Sequence, residues 1–264
     1  MAITTLDGLI AAPKQRLVLS HLTTRTAVAA YPISQFDQAG AVGAGVLAGT
    51  STTTGVVPTD ATAGCPIINA FGGSAKGYVS RVEGNNIVSG RLILFDMLWK
   101  AGAYAFNAST TGQTPTSFSS RVPGGTDYTG TELWLEQVTA GTLVQNVAVT
   151  YNDQGGASST TGTYAMPLAM ILGRMQQIPL AAGDSGVQGV TGVVGSVASA
   201  GTFNILVLRR LAEIRIRVAN DAVIQDALAT GMPEVFADSA LIIVFVPDST
   251  ASQTPEMVVD IANG

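Results

Sequence analysis

Apolar and polar residues alternate with a period of two along several short stretches of this chain, and that period predicts half-buried strands. Glu132-Leu-Trp-Leu-Glu-Gln-Val138 and Val144-Gln-Asn-Val-Ala-Val-Thr-Tyr151 are β-branched and alternating, with Thr139-Ala-Gly-Thr142 between them, and read as a hairpin. Glu213-Ile-Arg-Ile-Arg-Val218 sets Ile214, Ile216 and Val218 on one face and Glu213, Arg215 and Arg217 on the other. Gly77-Tyr-Val-Ser-Arg-Val82 and Arg91-Leu-Ile-Leu-Phe95 read as a second hairpin joined through Gly84-Asn-Asn86. Residues 96–101 continue as a helical turn. Further strands are expected near residues 160–165, 171–179, 187–194 and 203–208. Residues 240–246 form a central strand and residues 257–261 a short edge strand at the end. This many short strands with turn chemistry between them predict an all-β fold, a jelly-roll-like β-sandwich.

Two helices stand out against this pattern. Thr5 offers a cap, Asp7 an early acid and Pro13 a stop, which predicts a short helix over residues 5–12. Residues 221–231 begin at Asp221, carry Val223 and Leu228 and close on Gly231, which predicts one short helix near the C-terminus. From residue 39 to 66 no period survives, and Asp60 is the one charge among Gly, Ala, Thr, Val and Pro. A stretch of that kind is uncommon inside a compact domain. Residues 1–76 are therefore expected to be a partly extended N-terminal arm lying along a neighbour, and residues 77–264 the β-sandwich domain. Residues 107–130, rich in Ser, Thr and Gly, read as a long surface loop.

Composition changes the picture in one direction. Charged residues make up 12% of the 264, against about 25% in ordinary globular domains, so the surface is neutral and suited to packing against other proteins. A net charge of −5 offers no basic stripe for nucleic acid, and the Arg209-Arg210 doublet reads as a solvated strand end. The single Cys65 excludes an intrachain disulfide, and with one histidine, His21, no Cys/His zinc site assembles. No cofactor or metal is expected. The N-terminal residues lack the pattern of a secretory signal, and the longest apolar run, residues 240–246, is too short to span a bilayer. The chain reads as a soluble protein made in a cytoplasm, with no membrane partner.

Three motifs invite a chemical reading. Gly183-Asp-Ser-Gly186 resembles the nucleophile signature of chymotrypsin-like serine proteases, with His21 upstream as base and Asp60, Asp96 or Asp127 to orient it. Ser185 would attack, and the Gly183 and Ser185 amides would hold the oxyanion. Val187 stands where that family has a second glycine, and a tight turn is the better reading. Gly43-Ala-Gly-Val-Leu-Ala48 fits a dinucleotide fingerprint, yet Thr50-Ser-Thr-Thr-Thr54 follows where a helix is required. Glu132 and Glu136 share a strand face by their even spacing, and a solvated face is expected of them in preference to a glycosidase pair. Trp99 and Trp134 read as core or interface fillers.

Several phrases taken together resemble a family of tailed-bacteriophage virion structural proteins. They are Gly90-Arg-Leu-Ile-Leu-Phe-Asp-Met-Leu-Trp99, Arg121-Val-Pro-Gly-Gly125 and Val149-Thr-Tyr-Asn-Asp-Gln-Gly155, followed by Ile178-Pro-Leu-Ala-Ala-Gly-Asp-Ser-Gly-Val187, Gly201-Thr-Phe-Asn-Ile-Leu-Val-Leu208 and Arg217-Val-Ala-Asn-Asp221. The resemblance covers residues 77–247 and carries no catalytic motif. It implies a non-enzymatic virion component on the head surface, most similar to a capsid decoration (cement) protein that stabilises contacts between capsomers. Its partners would be the major capsid protein and itself, as a homotrimer. A tail-tube, head–tail connector or fibre-associated protein is the alternative, and a carbohydrate-binding receptor module a third class.

Overall fold

Among the described residues, the alternating segments fold as antiparallel strands in three sheets of five, five and seven members. The computed structural model describes residues 3–73, 75–107, 110–166, 171–195 and 199–264. In chain order the strands begin with β1 (Lys14–Ser20), β2 (Ile33–Ser34), β3 (Ser51–Val56), β4 (Gly77–Asn85), β5 (Gly90–Phe106) and β6 (Thr111–Gly112). There follow β7 (Thr131–Thr139), β8 (Gln145–Asp153), β9 (Ser158–Thr160), β10 (Tyr164–Met166), β11 (Met175–Ile178) and β12 (Val187–Gly195). The last are β13 (Ser199–Ile216), β14 (Val223–Gln225), β15 (Glu234–Val235), β16 (Leu241–Pro247) and β17 (Glu256–Asn263). Among the described residues, two short α-helices, α1 (Leu6–Ala11) and α2 (Ala227–Thr230), and 3₁₀ turns at Ser119–Arg121 and Pro123–Gly125 complete an all-β fold.

The chain divides into two units. The first takes Met1–Gly45, Thr59–Asp96 and Leu211–Gly264, the second Val46–Pro58 and Met97–Arg210. In the first unit β1, β17, β4 and β14 form one sheet in that order, with β15 also on β4. Residues 90–96 of β5 pair with β16, and β16 pairs with β2. A Cβ built on Gly84 of β4 would lie 3.0 Å from Leu92 and 3.2 Å from Ile214, so these two layers meet face to face. Val79, Val82, Leu94, Ile216, Val259 and Ile261 of these strands are all buried. Burial of such side chains stabilises by roughly 1.5–3 kcal/mol each. Cys65 is buried in this unit, its amide donating to Thr62 O.

The second unit packs β10, β8, β12 and β6 against residues 97–106 of β5, residues 199–210 of β13, and β7 and β11. One cluster joins the layers, with Trp99, Phe106, Leu133 and Phe203 on one side and Val149, Tyr151, Val190 and Val193 on the other. Phe203 stacks on Phe106 at 4.6 Å between ring centroids.

Several expected elements change on folding. β4 and β5 lie in different sheets, as do β7 and β8, so neither expected hairpin forms. Alternation reports that one face is buried, and it does not distinguish a neighbour beside the strand from one across the core. Residues 96–101 continue β5 as a strand, with the Asp96 carboxylate accepting Ser239 Oγ and the Ala240 amide and Lys100 in register with Val56 of β3. Residues 203–208 and 213–216 belong to one strand, β13, which stops before an exposed Val218. The expected helix over residues 221–231 shrinks to α2, capped by Asp226 and closed by Gly231 in the left-handed region, and Val223–Gln225 pairs with β4 instead. β17 is interior to its sheet, not an edge, because β1 covers its other side. Within 1–76, β1, β2 and β3 hydrogen-bond to strands of this same chain.

Candidate interaction surface

Helix α1 begins where expected. Thr5 Oγ1 accepts the Gly8 amide at 3.0 Å, and Lys14 Nζ closes the other end by donating to Leu9 O and Ile10 O. The helix buries none of its residues. Leu6 and Ile10, four apart and so on one face, are 71% and 68% exposed. On α2, the Asp226 carboxylate caps the Leu228 and Ala229 amides, and Leu228 stands 92% exposed. Leu6, Ile10 and Leu228 line a cleft of about 470 Å³.

Arg81 and Asp260 also line this cleft, and Arg16 stands beside them on Asp260. β1, β17 and β4 set Arg16, Asp260 and Arg81 opposite one another in register. Arg16 Nε donates to Asp260 Oδ1 at 2.8 Å, and Arg81 reaches the other oxygen at 3.4 Å. The Arg16 hydrogen bond, ahead of the attraction of both guanidiniums, holds the Asp260 carboxyl below the usual carboxylate range. Apolar side chains beside salt-bridged ones suit an amphipathic protein segment better than a small charged ligand.

The residues singled out for chemistry are engaged in structure. His21 belongs to the first unit, is buried, and holds Gln38 O with Nδ1 at 2.8 Å. Burial pushes its imidazole below the ordinary value, against the opposing pull of Gln38 O and Asp37. Ser185 belongs to the second unit, where its amide donates to Gln154 Oε1 and its carbonyl accepts from Gly130. Asp184 accepts the Tyr151 hydroxyl at 2.5 Å, and that hydroxyl in turn accepts the Ala181 amide. Gly183-Asp-Ser-Gly186 is thus a braced turn, with Gly183 at a φ of 97°. Asp127 accepts the Thr129 amide in a local turn, and Asp60 accepts the Ile68 amide eight residues on. Strand β3, not a helix, follows Gly43-Ala-Gly-Val-Leu-Ala48, so the fingerprint lacks its context. Trp99 and Trp134 are both buried, as core fillers. Arg209 is buried, not a solvated strand end, and Arg210 pairs with Glu132 at 3.0 Å.

Glu136 corrects the expectation of a solvated carboxylate face. It is 1% exposed, and Lys100 and Asn204 beside it are 4% and 0% exposed. Glu136 Oε2 lies 3.7 Å from Lys100 Nζ and accepts Asn204 Nδ2 at 2.9 Å. Lys100 Nζ also donates to Val46 O, and Asn204 Nδ2 to Leu47 O. Asn204 Oδ1 accepts the Gly49 amide at 2.9 Å. Sequence reasoning passed over Lys100 and Asn204. The available signal was a lone lysine in the apolar run Met97-Leu-Trp-Lys-Ala101 and a lone asparagine in Phe203-Asn-Ile-Leu-Val-Leu208.

No protein-family model matches the sequence, and neither does any curated protein. Among solved structures, the chain is similar to a mutant VP2 protein of infectious bursal disease virus in derived T=1 particles. That match has 9% identity over 95% of this chain and 78% of that one, with a TM-score of 0.17. The structure of the Gt strain of the same virus gives 11% identity, 95% and 81% coverage and a TM-score of 0.16. At these scores the likeness to a capsid protein is weak and carries no argument.

Proposed function

We propose that this chain is a non-enzymatic structural protein of a tailed-bacteriophage particle, a decoration protein that binds the assembled head and stabilises contacts between capsomers. The observation that carries this reading is the set of phrases over residues 77–247 that resemble that family of virion proteins. In the fold these phrases build β5, the turn near Pro123, β8, the braced Gly183 turn and β13. The exposed Leu6, Ile10 and Leu228 supply the kind of contact required: individually weak, apolar, and multiplied over a symmetric shell. The partners are the major capsid protein and further copies of this chain, as a trimer on the head surface.

Light scattering of the purified protein, followed by mixing with shells that lack it, tests the proposal. A discrete trimer that binds the shells and raises their resistance to heat supports decoration. A ring or a growing tube moves the assignment to the tail. A monomer indifferent to shells overturns both.

A further inference from the structure

We propose that Lys100 and Asn204 join in an isopeptide bond, formed by the protein on itself with Glu136 as the proton carrier. β13 lies between β7 and β5. Asn204 on β13 is the register partner of Glu136 on β7, and Lys100 comes from β5. A nucleophile, a carboxamide and a carboxylate therefore meet on three adjacent strands, each almost wholly removed from water. Gathering the three groups around the Glu136 carboxylate makes their encounter intramolecular.

Each atom has a place in the step. The Lys100 ammonium passes one proton to Glu136 Oε2, 3.7 Å away, and becomes an amine with a free electron pair. That pair attacks Asn204 Cγ, and the carbonyl electrons move onto Oδ1, which already accepts the Gly49 amide at 2.9 Å. The orientation of the carboxamide is set by its surroundings: Oδ1 faces an N–H donor, while Nδ2 faces Leu47 O and Glu136. The Glu136 oxygen that took the proton lies 2.9 Å from Nδ2 and delivers it there, making ammonia the leaving group. The Nζ–Cγ bond forms and the Cγ–Nδ2 bond breaks. Of the hydrogens on the ammonium and the carboxamide, one stays on the new amide, three depart with ammonia and the last remains on the Glu136 carboxyl. Nothing is oxidised or reduced, and no co-reactant is needed.

The backbone around the group is shaped for it. A Cβ built on Gly102 would lie 2.2 Å from Asn204 Oδ1, so only glycine at that position leaves the carboxamide its space. A Cβ on Gly49 would lie 2.7 Å from Gly102 N, which keeps the donor loop close to the carboxamide.

The experiment is an intact-mass measurement on the folded, full-length protein, followed by digestion and peptide mapping. The expected result is a mass below that of the sequence by one ammonia, with a branched peptide that joins the segments around Lys100 and Asn204. Lys100→Arg and Glu136→Gln are expected to return the full sequence mass. The wild-type reading decides even where a variant fails to fold. Full sequence mass in the folded wild type after prolonged incubation at physiological temperature overturns the bond. Loss of ammonia that maps to any other residue overturns it as well. A branched peptide that persists in folded Glu136→Gln removes Glu136 from the reaction and overturns the scheme.

Discussion

Among single residues, His21, Asp184 and Asp260 are all held below their ordinary values and give the fold an acid response of one sign. The His21 imidazole is held below its ordinary value of 6.5 by burial, so the folded state resists a proton that the unfolded chain accepts. Stability is therefore full above 6.5 and declines as pH falls, until the folded value is reached. Asp260 is held below its ordinary value of 3.8 by Arg16, so its contribution is present above that value and is lost as pH drops through the folded one. Melting temperature is expected to fall in two steps on acidification. His21→Gln should remove the upper step and Asp260→Asn should reduce the lower, to which Asp184, held down by the Tyr151 hydroxyl, also contributes, as read by thermal melts at a series of pH values. Tyr151→Phe removes the shared partner of Asp184 and the Ala181 amide. A loss of about 1 kcal/mol is expected, with faster amide exchange confined to the Gly183 turn.

For the elements, the sequence was informative about faces and silent about neighbours. Leu133 and Leu135 enter the core of the second unit, as their alternation required. Ile214 and Ile216 are buried as well. What alternation left out was pairing: β7 bonds to β13 and β11, while β8, next in the chain, bonds to β12. Both arrangements bury the same residues, so the pattern is identical. Lys100 and Asn204 were missed, and Glu136 was read as solvated, for a related reason. A polar residue in an apolar run reads as noise until the strands beside it are known. Gly55 shows how tightly one such contact is set. Its φ is 62°, and a Cβ there would meet the Trp99 ring at 2.3 Å, while the Trp99 indole donates to Thr54 O. Gly55→Ala should destabilise the second unit by about 1–3 kcal/mol, seen as a lower denaturant midpoint and a changed tryptophan emission.

On the scale of the whole molecule, a chain with 12% charged residues carries its apolar exposure in identifiable places. Leu6→Asp with Leu228→Asp alters two side chains already in water, so thermal stability should stay within about 0.5 kcal/mol of the wild type. Binding to shells should fall sharply if these residues make the contact, and a pull-down with heated and unheated shells reads this directly. Unchanged binding would place the contact elsewhere on the surface.

The single thiol has a use of its own. Cys65 is 8% exposed, in a turn where its amide is bonded to Thr62. A maleimide reaches it only when that turn opens, so the rate of alkylation measures how often the first unit breathes. Because the chain has no second cysteine, each labelled molecule carries one mark with one meaning. Slow labelling in buffer and immediate labelling in denaturant are expected. A further slowing once the protein sits on a shell would report, without any fluorescent or crosslinking reagent, that assembly quiets the unit that bears Leu6 and Leu228.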